Sequence, residues 1–147
     1  MNSPKQPGFT LIELIIVIVV LGILAAIAIP KMGNTQTAAR IATLNGALGA
    51  LNSGMNIVNA QALLNNQMGL TGTVSLIGSP TVNTIWGYPA ATAAALNATL
   101  KLTGFTVGAG TIDVTGAPNQ ATCRITYTPA TSATAPASAV ITSIAGC

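Results

Sequence analysis

Histidine does not occur in these 147 residues, and charged side chains make up 5% of them. Without histidine, the usual general base at neutral pH and the commonest metal ligand are both missing. The acidic residues are Glu13 and Asp113 alone, and nothing basic stands ready to activate a serine, threonine or cysteine nucleophile. Gly108-Ala109-Gly110 has neither a following Lys-Ser/Thr nor a third glycine, so it is not a phosphate or dinucleotide loop. The chain is therefore not expected to be an enzyme or to hold a cofactor or metal. Five cations, Lys5, Lys31, Arg40, Lys101 and Arg124, give a formal net charge of +3 but are too scattered to form a nucleic-acid stripe.

So little charge is also a poor surface for a lone soluble domain, because exposed charge of both signs keeps proteins apart. Mean hydropathy is nevertheless +0.65. A surface of this kind suits packing against further copies of the chain.

What the sequence does have is one long apolar run. Phe9–Ile29 is 21 residues, apolar except at Thr10, Glu13 and Gly22. As a helix rising 1.5 Å per residue it spans about 30 Å, the hydrocarbon thickness of a bilayer. The one carboxylate within it is anomalous, since an ionised group in hydrocarbon costs on the order of 2–4 kcal/mol. Three readings compete. A secretory signal would use Lys5 as its positive head and Ala26-Ile27-Ala28 as its cleavage site, leaving Ile29 first, but its apolar core is normally shorter and uncharged. A plain anchor would let Glu13 snorkel to the headgroups, with Lys5 and Lys31 on opposite sides giving no clear orientation.

The third reading rests on resemblance. Gly8-Phe9-Thr10-Leu11-Ile12-Glu13, preceded by Lys5 and leading into the apolar run, resembles the class III leader of type IV pilins. The resemblance implies cleavage after Gly8 by a prepilin peptidase that also methylates the new amino terminus at Phe9. It implies an assembly role for Glu13, whose carboxylate would pair with the amine of a neighbouring subunit and set the axial register. Pro30 can be read as a helix stop at the membrane surface. The resemblance implies instead a kink or unwound stretch between Gly22 and Pro30 in a longer helix. Gly22-x-x-x-Ala26 adds a small face for helix contact in lipid.

Beyond Lys31, the residues Ile41, Leu44, Leu48, Leu51, Met55 and Val58 recur at steps of three and four, one face of an amphipathic helix. Thr122–Thr128 alternates with period two and reads as a strand, with weaker strand candidates at 74–77, 105–107, 111–115 and 139–144 and a short helix at 90–100. The expected fold is α+β and pilin-like: a long N-terminal helix, membrane-spanning in its first half, packed on a small antiparallel sheet. Cys123 and Cys147 would form one disulfide if the head reaches an oxidising compartment, whereas a redox-active pair lacks the close Cys-x-x-Cys spacing. Pilins resemble this too, with a Cys-bounded loop at the carboxyl end.

Within that loop, 129–138 is almost wholly Ala, Ser, Thr and Pro and is expected to be flexible and exposed, a candidate for O-glycosylation or receptor contact. Trp86-Gly87-Tyr88-Pro89-Ala90-Ala91 resembles a segment of the mannose-sensitive haemagglutinin subgroup, although a turn that places two aromatics in the core explains it as well.

The organisation expected is a leader at 1–8, a transmembrane polymerisation helix at 9–30, its amphipathic continuation at 31–60, and a globular head at 61–147. The resemblance implies a pilus subunit serving adhesion, motility or DNA uptake, first in the inner membrane and then in an extracellular fibre. Its implied partners are other subunits, membrane lipid, the peptidase/N-methyltransferase, an assembly platform, a motor ATPase and an outer-membrane secretin. A type II secretion pseudopilin and a non-polymerising anchored or secreted binding domain are the alternatives.

Overall fold

A computed structural model describes residues 8–78 and 80–147, with the side chains of residues 31–34 also outside the description. Of the expected leader at 1–8, residues 1–7 lie outside the described residues. The first element, α1 (Leu11–Leu64), is a single helix of 54 residues. It crosses the boundary between two compact units, Met1–Thr37 and Ala38–Cys147.

In the first unit α1 is helical throughout Gly22–Pro30, so proline does not stop it, and no turn there is unwound. Pro30 has no N–H to donate, yet the helix runs on. Each large apolar side chain from Phe9 to Ile29 is between 42% and 88% exposed. Among the described residues none buries that surface, and α1 is long and apolar enough to cross a membrane.

In the second unit the expected stripe is the core. Leu44, Ala47, Leu51, Met55, Val58 and Ala62 are buried, and Ile41 and Leu48 are half-buried beside them. Seven strands follow: β1 (Gly72–Val74), β2 (Val82–Ile85), β3 (Tyr88–Pro89), β4 (Phe105–Val107), β5 (Thr111–Val114), β6 (Arg124–Thr128) and β7 (Ser138–Ser143). The helix α2 (Ala93–Thr99) lies between β3 and β4. All pairings are antiparallel, in one sheet of order β1-β2-β3 and another of order β4-β5-β6-β7. Alternation in β5 and β6 turns Ile112, Val114, Ile125 and Tyr127 onto the Leu44–Met55 part of the stripe. Val58, Val82, Ala95 and Ala98 make a smaller second cluster between the first sheet and α2.

Several expectations need correction. The strand at 74–77 is shifted: pairing covers Gly72–Val74, while Ser75–Ile77 is a loop with Ile77 fully exposed. The helix at 90–100 begins three residues later, because Thr92 is its N-cap and its hydroxyl accepts from the N–H of Ala95 at 3.2 Å. The single sheet is two, because β2 and β3 are present as well. β2 puts a threonine, Thr84, at an inward position and so breaks the apolar alternation that marks a strand. The turn joining them has Trp86 at φ 51° and Gly87 at φ 79°, the two positive values of a type I′ hairpin. The two aromatics, Trp86 and Tyr88, are half-buried rather than core residues. Finally, 129–138 is tied rather than loose: Ala130 is buried, and the Ser132 hydroxyl accepts from the N–H groups of Thr134 and Ala135.

Tyr127 joins the two sheets, its hydroxyl donating to the carbonyl of Pro89. Burial pushes its pKa well above the usual tyrosine value, and the nearby Tyr88 adds to the effect. With the folded pKa raised, folding holds the proton more tightly than the unfolded chain does. This contribution to stability is complete below pH about 10 and is lost as pH rises above it. The chain has two tyrosines, so Tyr88→Phe leaves Tyr127 alone to report. Its phenolate absorbance is expected to appear only together with alkaline unfolding followed by circular dichroism; titration in the intact fold would contradict this.

Candidate assembly site

The start of α1 is built by two residues. Thr10 stands just ahead of the first helical residue, and both its N–H and its hydroxyl donate to Glu13 Oε2, at 2.9 and 2.7 Å. In return the Glu13 N–H donates to Thr10 Oγ1 at 3.3 Å, and the Leu14 N–H reaches the Thr10 carbonyl at 3.3 Å. This is a capping box, in which helix-start N–H groups and a carboxylate satisfy one another. It also puts the negative charge at the positive end of the helix dipole. Sequence reasoning singled out Glu13 but not Thr10, although Thr10-x-x-Glu13 is the capping-box spacing. Phe9, the expected new terminus, precedes the box directly and is almost fully exposed. Gly22, expected at the kink, has open space where a Cβ would stand.

The site can therefore do two things. Within one chain the carboxylate is satisfied by hydrogen bonds from Thr10. A cation brought from outside would meet an acceptor already fixed in position at the head of an uncovered apolar rod.

The other predicted residues lie in the second unit. Cys123 and Cys147 form a disulfide, with Cα atoms 4.9 Å apart and both residues buried. Arg40 of α1 donates from Nη1 to the Cys147 carbonyl at 2.7 Å, a contact that no sequence pattern announces. Gly146 exchanges backbone hydrogen bonds with Asn119 and Thr122. Asp113, the head's one carboxylate side chain, accepts from Nε and Nη2 of Arg124 at 2.8 and 2.9 Å across the β5–β6 register. That pair holds the Arg124 proton more tightly than usual.

The prokaryotic N-terminal methylation motif matches residues 3–29, the stretch that contains the capping box and the exposed rod. The chain is thus of the class whose amino-terminal helix bears a processing signal. A fimbrial protein, EcpC of Eikenella corrodens, is 34% identical over 112 residues, which cover 74% of this chain and 71% of that protein. The type IV narrow pilus major component PilA5 of Thermus thermophilus is 46% identical over 58 residues, 40% of this chain and 50% of its own length. The type II secretion system core protein G of Pseudomonas aeruginosa is 33% identical over 85 residues, 56% of this chain and 58% of its own. For these last two the match spans between half and three-fifths of the relative's length. No solved structure matches the chain. With the motif and the fimbrial match together, the chain belongs to the type IV pilin family.

The carboxyl end makes a quantitative prediction. A closed loop of 25 residues corresponds to about 3.5 kcal/mol in the chain-entropy treatment. Replacing both cysteines by serine is expected to cost that much in denaturant unfolding, and Arg40→Ala about 1.5–3 kcal/mol for its charge-assisted bond. Because both act on Cys147, the costs should not add: Arg40→Ala should cost much less once the cysteines are gone. Simple additivity would show that the two fastenings are independent.

Proposed function

We propose that the chain is the structural subunit of a type IV pilus, processed after Gly8, methylated at Phe9 and polymerised through the first half of α1. The observation that carries this reading is a hydrogen-bonded carboxylate at the mouth of an apolar helix that the described residues leave exposed. In the inner membrane, lipid covers the rod. In the fibre, neighbouring rods do. Cleavage would turn the Phe9 nitrogen into a cation, and Glu13 of an adjacent subunit would receive it, fixing the offset between neighbours. Leaving lipid would otherwise expose about twenty apolar side chains to water, at roughly 1.5–3 kcal/mol for each large one. That cost keeps unassembled subunits in the membrane. Gly22 and Pro30 supply the place where the helix can yield as it moves from bilayer to fibre.

The role is structural and not enzymatic, with a peptidase/N-methyltransferase, an assembly platform, a motor ATPase and a secretin as the partners that process, extrude and pass the fibre to the surface. Adhesion, motility or DNA uptake would follow from the fibre. The match to the secretion-system protein supports a second reading, a pseudopilin, and sheared surface fibres seen by electron microscopy would decide against it.

Glu13→Gln separates charge from capping, because glutamine can still close the box but cannot neutralise an amine. The variant is expected to be inserted and cleaved normally and to lose most surface fibre, as Glu13→Ala should. Normal fibre yield from Glu13→Gln would overturn the ion-pair role. Amino-terminal sequencing of the wild-type product should find N-methylated Phe9; Ile29 would indicate a secretory signal, and Met1 a plain anchor.

A further inference from the structure

Strand edges are the open margins of the head, because alternate residues there direct their N–H and C=O groups away from the sheet. Of the four edges of the two sheets, three are blunt: β1 and β4 have three residues each, and β3 has two and ends on Pro89. The fourth edge, β7, has six residues and is the longest strand among the described residues. None of its residues is buried, and among the described residues no backbone group of Ser138–Ser143 bonds outside the β6 ladder.

The usual guards against pairing at an edge are charge, proline and a bulge that twists the strand. β7 has neither charge nor proline, and no charged side chain follows Arg124 in the sequence. Its irregularity sits at one end: Arg124 faces Ser143 while Ile125 faces Ile141, so Thr142 is the extra residue and Ser138–Ile141 keeps a regular register. Along that stretch Ser138 and Val140 are on the solvent face, and Val140 is 54% exposed. A β-branched side chain there gains most from a neighbour across a strand pair.

A free edge selects its partner by backbone geometry, since what completes it is another extended chain. Within a second copy, β1, β3 and β4 are too short to match it, and β7 is the edge of equal length. We propose that β7 pairs antiparallel with β7 of a second copy, joining two four-stranded sheets into one. A two-fold axis normal to the sheet keeps solvent-facing side chains on the same side in both copies, so residues of like face stand opposite each other. With the axis at Val140, that side chain meets the partner subunit's Val140, and Ala139 stands opposite the partner subunit's Ile141. This register covers the exposed valine with an apolar group. The contact closes on itself, so it cannot be the repeat of a polar filament. Resting on the pilus reading above, it joins subunits of neighbouring fibres, where repetition makes a short and weak pair firm.

The test uses the full chain in detergent micelles, followed by sedimentation at increasing protein concentration. The wild type is expected to pass from monomer to dimer. Val140→Lys and Val140→Glu alter an exposed position, so both should keep the fold by circular dichroism. Each should weaken the dimer by at least about tenfold, because like charges then stand face to face. An equimolar mixture of the two variants should recover the wild-type affinity, since Lys then faces Glu. That rescue requires residue 140 to face residue 140, and neither association of the apolar rods nor pairing with another strand reproduces it. A wild type that stays monomeric, dimerisation unchanged in both variants, or no rescue in the mixture would overturn the proposal. In electron micrographs, wild-type fibres should lie side by side and Val140→Lys fibres apart. Absence of fibres from the wild type would count against the pilus reading and leave the sedimentation result standing.

Discussion

An apolar helical surface that the described residues leave exposed governs this molecule. From Phe9 to Ile29 the large side chains of α1 are exposed, and water is the one environment that this half of the helix cannot tolerate. Lipid and neighbouring copies of the same helix are the two environments that suit it. In the proposed assembly, Glu13 would make the choice between them directional. In lipid its charge is moderated by the Thr10 capping box and the helix dipole. Against another subunit, in the assembly proposed above, the same carboxylate would be the acceptor for a cation.

The second half of the same helix is organised by the opposite condition. There a stripe from Leu44 to Ala62 is buried under the chain's own strands and α2. One element thus serves as core for the head and, among the described residues, presents an exposed apolar surface that suits the assembly proposed above. Glycines mark the difference in how closely it is approached. Gly54 meets Thr99 and Leu100 where a Cβ would be, whereas Gly46 and Gly49 have open space beside them. The scarcity of charge in the head fits the same economy: Asp113 and Arg124 are paired, and Arg40 is committed to a backbone carbonyl.

Much of this was legible in the sequence because its strongest signals are long or periodic. The apolar run, the Ile41–Val58 stripe and the alternation in Thr122–Thr128 each repeat over enough residues to fix an element and its buried face. The leader motif drew attention to Glu13, but the interest of that residue as a charge hid its role as a cap. What stayed hidden depends on contacts between distant residues. Nothing local shows that Arg40 reaches Cys147, or that Tyr127 reaches Pro89. β2 was missed because a buried threonine interrupts its pattern, and β3 because it is two residues long. The turn between them uses Trp-Gly where Asn-Gly would have announced a hairpin. The loop at 129–138 looked loose from its composition, yet one serine hydroxyl is enough to close a turn.

The fastening of the carboxyl end has a mechanical side. In the filament proposed above, tension would pass along α1, and a β-structured head would be vulnerable where an outermost strand can be peeled away. β7 is one such strand, an edge of the second sheet that pairs with β6 alone. The chain just beyond it is cross-linked to Cys123 and held by Arg40 to the load-bearing helix itself. Cys123 leads into β6 and Cys147 follows β7, so the cross-link closes the end of the antiparallel pair where Arg124 faces Ser143. A pull arriving there from the helix would be carried by the covalent bond and not by the hydrogen bonds of β6 and β7.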